Sequence, residues 1–150
     1  MKEIKNVSII GMGALGVMYG SHLAHHMGFD HVTYIMDEKR YEKYKGSTVT
    51  CNGEELSFTC VPASQAVPAD LVIVAVKSTG LTEALDTMKN CIGPNTVILS
   101  VMNGISSEEI IGERYGAEHM IYAVAQGKDA MKFGAELTYS KMGVLCIGAR

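Results

Sequence analysis

"VSIIGMGALGVMYG", residues 7–20, places four glycines at the junction between an apolar, β-branched run and a helix-like stretch. Glycine loses more conformational freedom on ordering than any other residue, so a cluster at one junction calls for a physical reason. Three of the four, Gly11, Gly13 and Gly16, fit G-x-G-x-x-G. The pattern alone is weak; it gains meaning from a strand before it, a helix after it and an acid about 20 residues further on. "NVSII" (6–10) reads as the strand, 14–27 as the helix, and Asp37 stands 21 residues beyond Gly16 at the end of the next strand. In such a junction the first glycine turns the chain off the strand. The second leaves room for a pyrophosphate against the backbone, and the third lets the helix lie close to the sheet. The helix start adds unpaired N–H groups and the positive end of its dipole. Gly11, Met12, Gly13, Ala14, Leu15 and Gly16 therefore form a candidate dinucleotide cradle. Gly20 and Ala24, at spacings of four from Gly16, make a thin helix face for packing.

Outward from this junction, short β-branched runs alternate with helical stretches. "HVTYIM" (31–36) is a second strand, followed by a charged helix near 38–45. "STVTC" (47–51) and "ELSFTC" (55–60) alternate in period two and predict a hairpin about an Asn-Gly turn. "DLVIVAV" (70–76) is apolar throughout, as a strand covered on both faces should be. A helix over 80–91, a strand at 96–101 and a helix near 106–115 follow, and 120–125, 135–139 and 143–148 read as strands. This order predicts one α/β domain over 1–150: a doubly wound (Rossmann), mostly parallel sheet with helices on both faces. The late strands would add antiparallel edges near the C-terminus.

Composition narrows the function. The chain has 150 residues and a net charge of −3, from 13 basic and 16 acidic side chains. No basic cluster suggests a nucleic-acid partner. The apolar runs are too short to span a bilayer, and the start lacks a secretory segment, so no membrane partner and a cytoplasmic location are expected. Cys51, Cys60, Cys91 and Cys146 have neither zinc-knuckle nor redox-pair spacing and are expected as reduced, packed thiols. His22, His25 and His26 project from the helix side opposite Gly16, Gly20 and Ala24. No carboxylate or cysteine lies near them in sequence, so they read as a solvated surface and no metal is expected.

Ligands in an open parallel sheet gather at the carboxyl ends of strands. "VAVKSTG" sets Lys77 at one such end and "LSVMNGI" sets Asn103 and Gly104 at the next. An ammonium or amide donor there could stabilise negative charge developing on a ketone oxygen during hydride transfer. Asn103 can donate and accept at once, suiting it to bridge a ribose hydroxyl and a substrate group. Asp37 could accept hydrogen bonds from adenosine ribose hydroxyls and repel a 2′-phosphate, which favours NAD(H). Lys39 and Arg40, directly after it, could instead cover such a phosphate.

Taken in order, "IIGMGALG", "VAVKSTG", "MNGI" and the closing "GVLCIGAR" resemble the amino-terminal domain of the ketopantoate reductase (2-dehydropantoate 2-reductase) family over essentially the whole chain. The resemblance implies NADP(H) as cofactor and a small 2-keto acid as partner: 2-dehydropantoate, reduced to pantoate in pantothenate and coenzyme A biosynthesis. It further implies that Gly11 to Gly16 hold the pyrophosphate, and that Lys77 and Asn103 meet the nicotinamide end and orient substrate. The family usually carries arginine where Asp37 stands. Its helical substrate domain, with the lysine regarded as general acid, has no counterpart in these residues, so the chain alone is expected to be catalytically incomplete. Assembly as a homodimer stays open. The rival from another class is a nucleotide-sensing module of the kind that gates channels, which shares the glycine loop and acid but needs no Lys and Asn-Gly pair.

Overall fold

The computed structural model describes residues 3–102, 106–126, 130–133, 135–139 and 143–148. In chain order the elements begin with β1 (Val7–Ile10), α1 (Ala14–Met27), β2 (Val32–Met36) and α2 (Glu38–Tyr44). Next come β3 (Val49–Cys51), β4 (Glu54–Leu56), β5 (Thr59–Pro62), β6 (Leu71–Val74) and α3 (Leu81–Thr87). The chain continues through β7 (Val97–Ser100), α4 (Ser106–Tyr115), β8 (Met120–Gln126), β9 (Met131–Phe133), β10 (Glu136–Thr138) and β11 (Val144–Gly148).

The main sheet runs β11-β8-β7-β6-β1-β2-β5. Six of its strands are parallel, and β11 alone runs antiparallel, against β8. Counting only the parallel strands in chain order, the arrangement is 3-2-1-4-5-6, the doubly wound order with its crevice beside the first strand. Alternation along the buried strands feeds two cores. Val7 and Ile9 of β1 and Ile73 of β6 pack with Val17 and Met18 of α1. Ile10, Val72 and Val74 pack with Leu81 and Leu85 of α3 and Ile111 of α4. Among the described residues, no helix is long and apolar enough to cross a membrane.

The expected hairpin is only half formed. β3 and β4 pair antiparallel about Asn52 and Gly53, but the second strand ends at the buried Leu56. The Phe58 side chain then turns inward, stacking 5.7 Å from Phe29 and edge-on at 4.9 Å to Tyr34. This anchor carries Thr59–Pro62 over to pair in parallel with β2, as the edge strand of the main sheet. Pro62, which has no N–H to offer, is tolerated at such an edge. Strands β9 and β10 also leave the main sheet and join β3 and β4 in a second sheet ordered β4-β3-β10-β9. The helix expected over 80–91 shortens to α3, flanked by 3-10 turns at Ser78–Gly80 and Lys89–Cys91.

Cys51, Cys60 and Cys91 are free thiols, and burial pushes Cys91 up to about 11. The Cys146 side chain lies outside the described residues. The three helix histidines are exposed, as expected, but the fold brings His25 a carboxylate from far along the chain: its Nε2 lies 3.1 Å from Oε1 of Glu54. Among the described residues, no group of three or more His, Cys, Asp or Glu side chains is placed to hold a metal ion.

Helix α1 is seated through Tyr34, whose side chain is fully buried. Its hydroxyl donates to the Gly16 carbonyl at 2.7 Å. A β-carbon on Gly20 would lie 1.8 Å from that hydroxyl and 3.1 Å from Cδ1 of Ile9. A rigid buried ring cannot withdraw from such a clash, so overpacking applies. Gly20→Ala is expected to cost about 1–3 kcal/mol in chemical denaturation. Tyr34→Phe removes the hydroxyl and should recover part of that loss when combined with it, a coupling that a double-mutant cycle reads directly. Strictly additive losses would show that the two residues do not share this contact.

Candidate functional site

Strand β1 lies between β2 and β6, and the chain leaves it in opposite directions on its two sides. A crevice must therefore open at the carboxyl end of β1. It holds two clefts that share Gly11, Met12, Arg40, Val76 and Gly80. The first, of about 800 Å³, extends over the ends of β2 and β5 and is lined by Asp37, Ser47, Thr48, Cys60 and Lys132 among others. The second, of about 730 Å³, runs along Gly11–Leu15 to Ala75–Gly80, Val101 and Met102.

Each glycine of the loop meets a different constraint. Gly11 has φ +109°, and a β-carbon there would lie 2.4 Å from the Ala75 carbonyl oxygen, so both conformation and space demand glycine. Gly16 is required by the loop itself as well as by the sheet: its β-carbon would sit 2.1 Å from the Gly11 carbonyl oxygen and 3.6 Å from Cβ of Ala75. Gly13 differs. It is the N-cap of α1 with ordinary extended φ and ψ, and a β-carbon on it would meet nothing within 4 Å. The packing of the protein therefore gives no reason for glycine at this position, which lies in open space at the helix start. The first turn of α1 carries neither a side-chain cap nor an acidic residue, leaving its N–H groups directed at the crevice.

Asp37 stands at the end of β2 as expected, but its carboxylate already has work. Oδ1 accepts from the Arg40 backbone N–H at 2.8 Å as the N-cap of α2, and Oδ2 lies 3.7 Å from Nε of Arg40. The same guanidinium reaches the other wall, with Nη2 at 3.8 Å from Oε2 of Glu83 on α3. Arg40 thus bridges the two helices that flank the crevice mouth. Lys39 is exposed and lines neither cleft. Lys77 is exposed and caps the 3-10 turn that follows β6, beside Gly11–Leu15 in the second cleft. Asn103 lies outside the described residues. Its neighbour Met102 lines the second cleft and is held by a 3.3 Å hydrogen bond from its N–H to Oγ of Ser100. That serine in turn shares a 3.0 Å contact with Ser107 Oγ on α4.

Sequence reasoning did not find Lys132, Glu83, Ser47 or Thr48. Lys132 arrives on β9 from the second sheet, and no spacing in the sequence signals it. Glu83 could have been suspected only from α3 starting beside the crevice.

Strand order, crevice and glycine loop define the chain as a Rossmann-like, doubly wound domain. Comparison with known proteins is more specific: residues 7–149 match the family described as "Ketopantoate reductase PanE/ApbA", and the chain belongs to that family. The 2-dehydropantoate 2-reductase of Lactococcus lactis is 31% identical over 124 residues, covering 77% of this chain and 39% of that protein. Among solved structures, the 2-dehydropantoate 2-reductase of Geobacter metallireducens superposes with a TM-score of 0.79 at 22% identity. That match covers 96% of this chain and 49% of that one. D-mandelate dehydrogenase in complex with NADH gives the same TM-score at 23% identity, covering 95% and 46%. The chain thus spans half or less of the length of these relatives.

Because Asp37 acts as a helix cap, Asp37→Ala is expected to destabilise the protein by about 1 kcal/mol, whereas Asp37→Asn, an equally good capping residue, should leave the denaturation midpoint nearly unchanged. Equal losses for both would point to the charge, paired with Arg40, as the stabilising element.

Proposed function

We propose that this chain binds a nicotinamide dinucleotide across the two clefts and forms the coenzyme half of an NAD(P)H-dependent 2-keto acid reductase. By family membership the reaction is reduction of 2-dehydropantoate to pantoate. The observation that carries the reading is Gly13: a glycine with no conformational or packing need for one, at the open start of an uncapped helix. A dinucleotide's phosphates would meet the backbone of Gly11–Leu15 there, where N–H groups and the helix dipole favour anions. The adenosine would lie in the larger cleft beside Asp37, and the nicotinamide in the smaller one beside Lys77 and Met102.

When bound, the coenzyme supplies a hydride to the keto carbon. What this chain contributes is position and charge. The loop backbone fixes the phosphates. Lys77, at the strand end, offers an ammonium to the oxygen on which negative charge develops. Asn103, next to Met102, would bridge ribose and substrate. The proton for that oxygen is assigned to residues in the part of the relatives' length that this chain does not span. The 150 residues by themselves are therefore expected to bind coenzyme and show no turnover of 2-dehydropantoate.

Parallel titrations with NADH and NADPH test the reading. Saturable binding is expected, and Gly13→Ala should weaken it about tenfold for both coenzymes while costing at most about 1 kcal/mol of stability as the poorer N-cap, because the added methyl projects into open space at the phosphate site. Absence of binding by either coenzyme at millimolar concentration would refute the assignment. In a protein of the relatives' full length, Lys77→Ala is expected to lower kcat/KM about 100-fold, the usual cost of one donor to a developing oxyanion.

A further inference from the structure

Among the described residues, two cations line the larger cleft, Arg40 and Lys132, and they are not equivalent. Arg40 is bracketed by carboxylates, with Asp37 Oδ2 at 3.7 Å and Glu83 Oε2 at 3.8 Å. Lys132 comes from the other side. In the β9–β10 pair it stands directly opposite Leu137, which is fully buried. Residues opposite each other in an antiparallel pair share a face, so Lys132 lies on the inward face of the second sheet while its neighbour Met131 faces solvent. It is half-buried and lines the cleft that holds Asp37 and Arg40. It has no ion pair among the described residues.

We propose that Lys132 determines coenzyme choice by selecting a dinucleotide that carries a phosphate on its adenosine ribose. The inference rests on the coenzyme reading given above. Asp37, Glu83 and Arg40 together carry a net negative charge, which disfavours a dianion. Arg40 could turn to a phosphate only by leaving two carboxylates behind. Lys132 restores charge balance to the cleft, and its ammonium is a compact point charge suited to phosphate oxygens. The determinant thus sits on a strand 95 residues beyond Asp37, outside the β2–α2 turn where such selectivity is usually sought.

The test compares NADPH and NADH binding by the whole chain at one fixed ionic strength, for wild type, Lys132→Ala, Lys132→Arg and Glu83→Gln. Wild type should prefer NADPH. Lys132→Ala should lower NADPH affinity about tenfold, the effect of one charge-assisted contact, with NADH affinity within about twofold of wild type. Lys132→Arg should retain most of the preference. Glu83→Gln, which frees Arg40 from one of its carboxylates, should tighten NADPH and not NADH. Equal losses for both coenzymes, no loss in Lys132→Ala, or a wild-type preference for NADH would each overturn the proposal while leaving the coenzyme reading intact. Binding of neither coenzyme to wild type would overturn both.

Discussion

The hydrogen bond from the Tyr34 hydroxyl to the Gly16 carbonyl can form only because residue 20 has no side chain. Everything at the crevice follows from the distance this contact sets between α1 and the sheet. With the helix drawn down onto β1 and β2, Gly16 comes to rest on the Gly11 carbonyl, and Gly11 in turn lies against the Ala75 carbonyl at the end of β6. The three backbone segments are then so close that no β-carbon fits between them. Such contacts are short-range and steep, so they fix the direction of α1 far better than hydrophobic area, which is non-directional. The uncapped start of the helix is aimed by contacts within its own first two turns.

Around that rigid centre, the groups that would read a ligand sit on elements of lower order. Asp37 caps a helix of seven residues, Lys77 precedes a single 3-10 turn, and Lys132 is carried by a three-residue strand. The arrangement separates two tasks. Backbone from β1, α1 and β6 forms the close-packed loop proposed to hold phosphates, which needs no side chain for that purpose, while exposed or half-buried side chains from α2, α3 and β9 carry charge that substitutions could alter without disturbing the fold.

Much of this was legible in the sequence, for identifiable reasons. Buried parallel strands are apolar on both faces, so "DLVIVAV" and "VSIIG" declare themselves without tertiary information. The glycine spacing encodes one local contact, Gly16 on the Gly11 carbonyl, whereas the approaches of Gly11 to Ala75 and of Gly20 to Tyr34 depend on distant parts of the chain. The signals that failed were those settled by distant partners. "ELSFTC" has strand periodicity throughout, yet Phe58 finds Phe29 and Tyr34, and the run is divided between two sheets. The same holds for His25, whose carboxylate partner Glu54 lies on the other sheet, and for Arg40, which joins α2 to α3. Asp37 was placed correctly, but its role as an N-cap was not anticipated, although an acid directly before a charged helix is a recognised signal for one.

The second sheet couples two segments far apart in the chain. Its central pairing joins Cys51 of β3 to Leu137 of β10, so it closes a loop that contains β5, the whole β6–β8 half of the main sheet and two helices. The entropy lost in closing a loop grows with its length, and contacts of such high sequence separation form late. The wall that carries Lys132 is therefore expected to order after the crevice floor and to be released early on local opening. Any ligand lodged between floor and wall would hold that long loop shut, so occupancy of the larger cleft should slow amide exchange in β9 and β10 more than in β1.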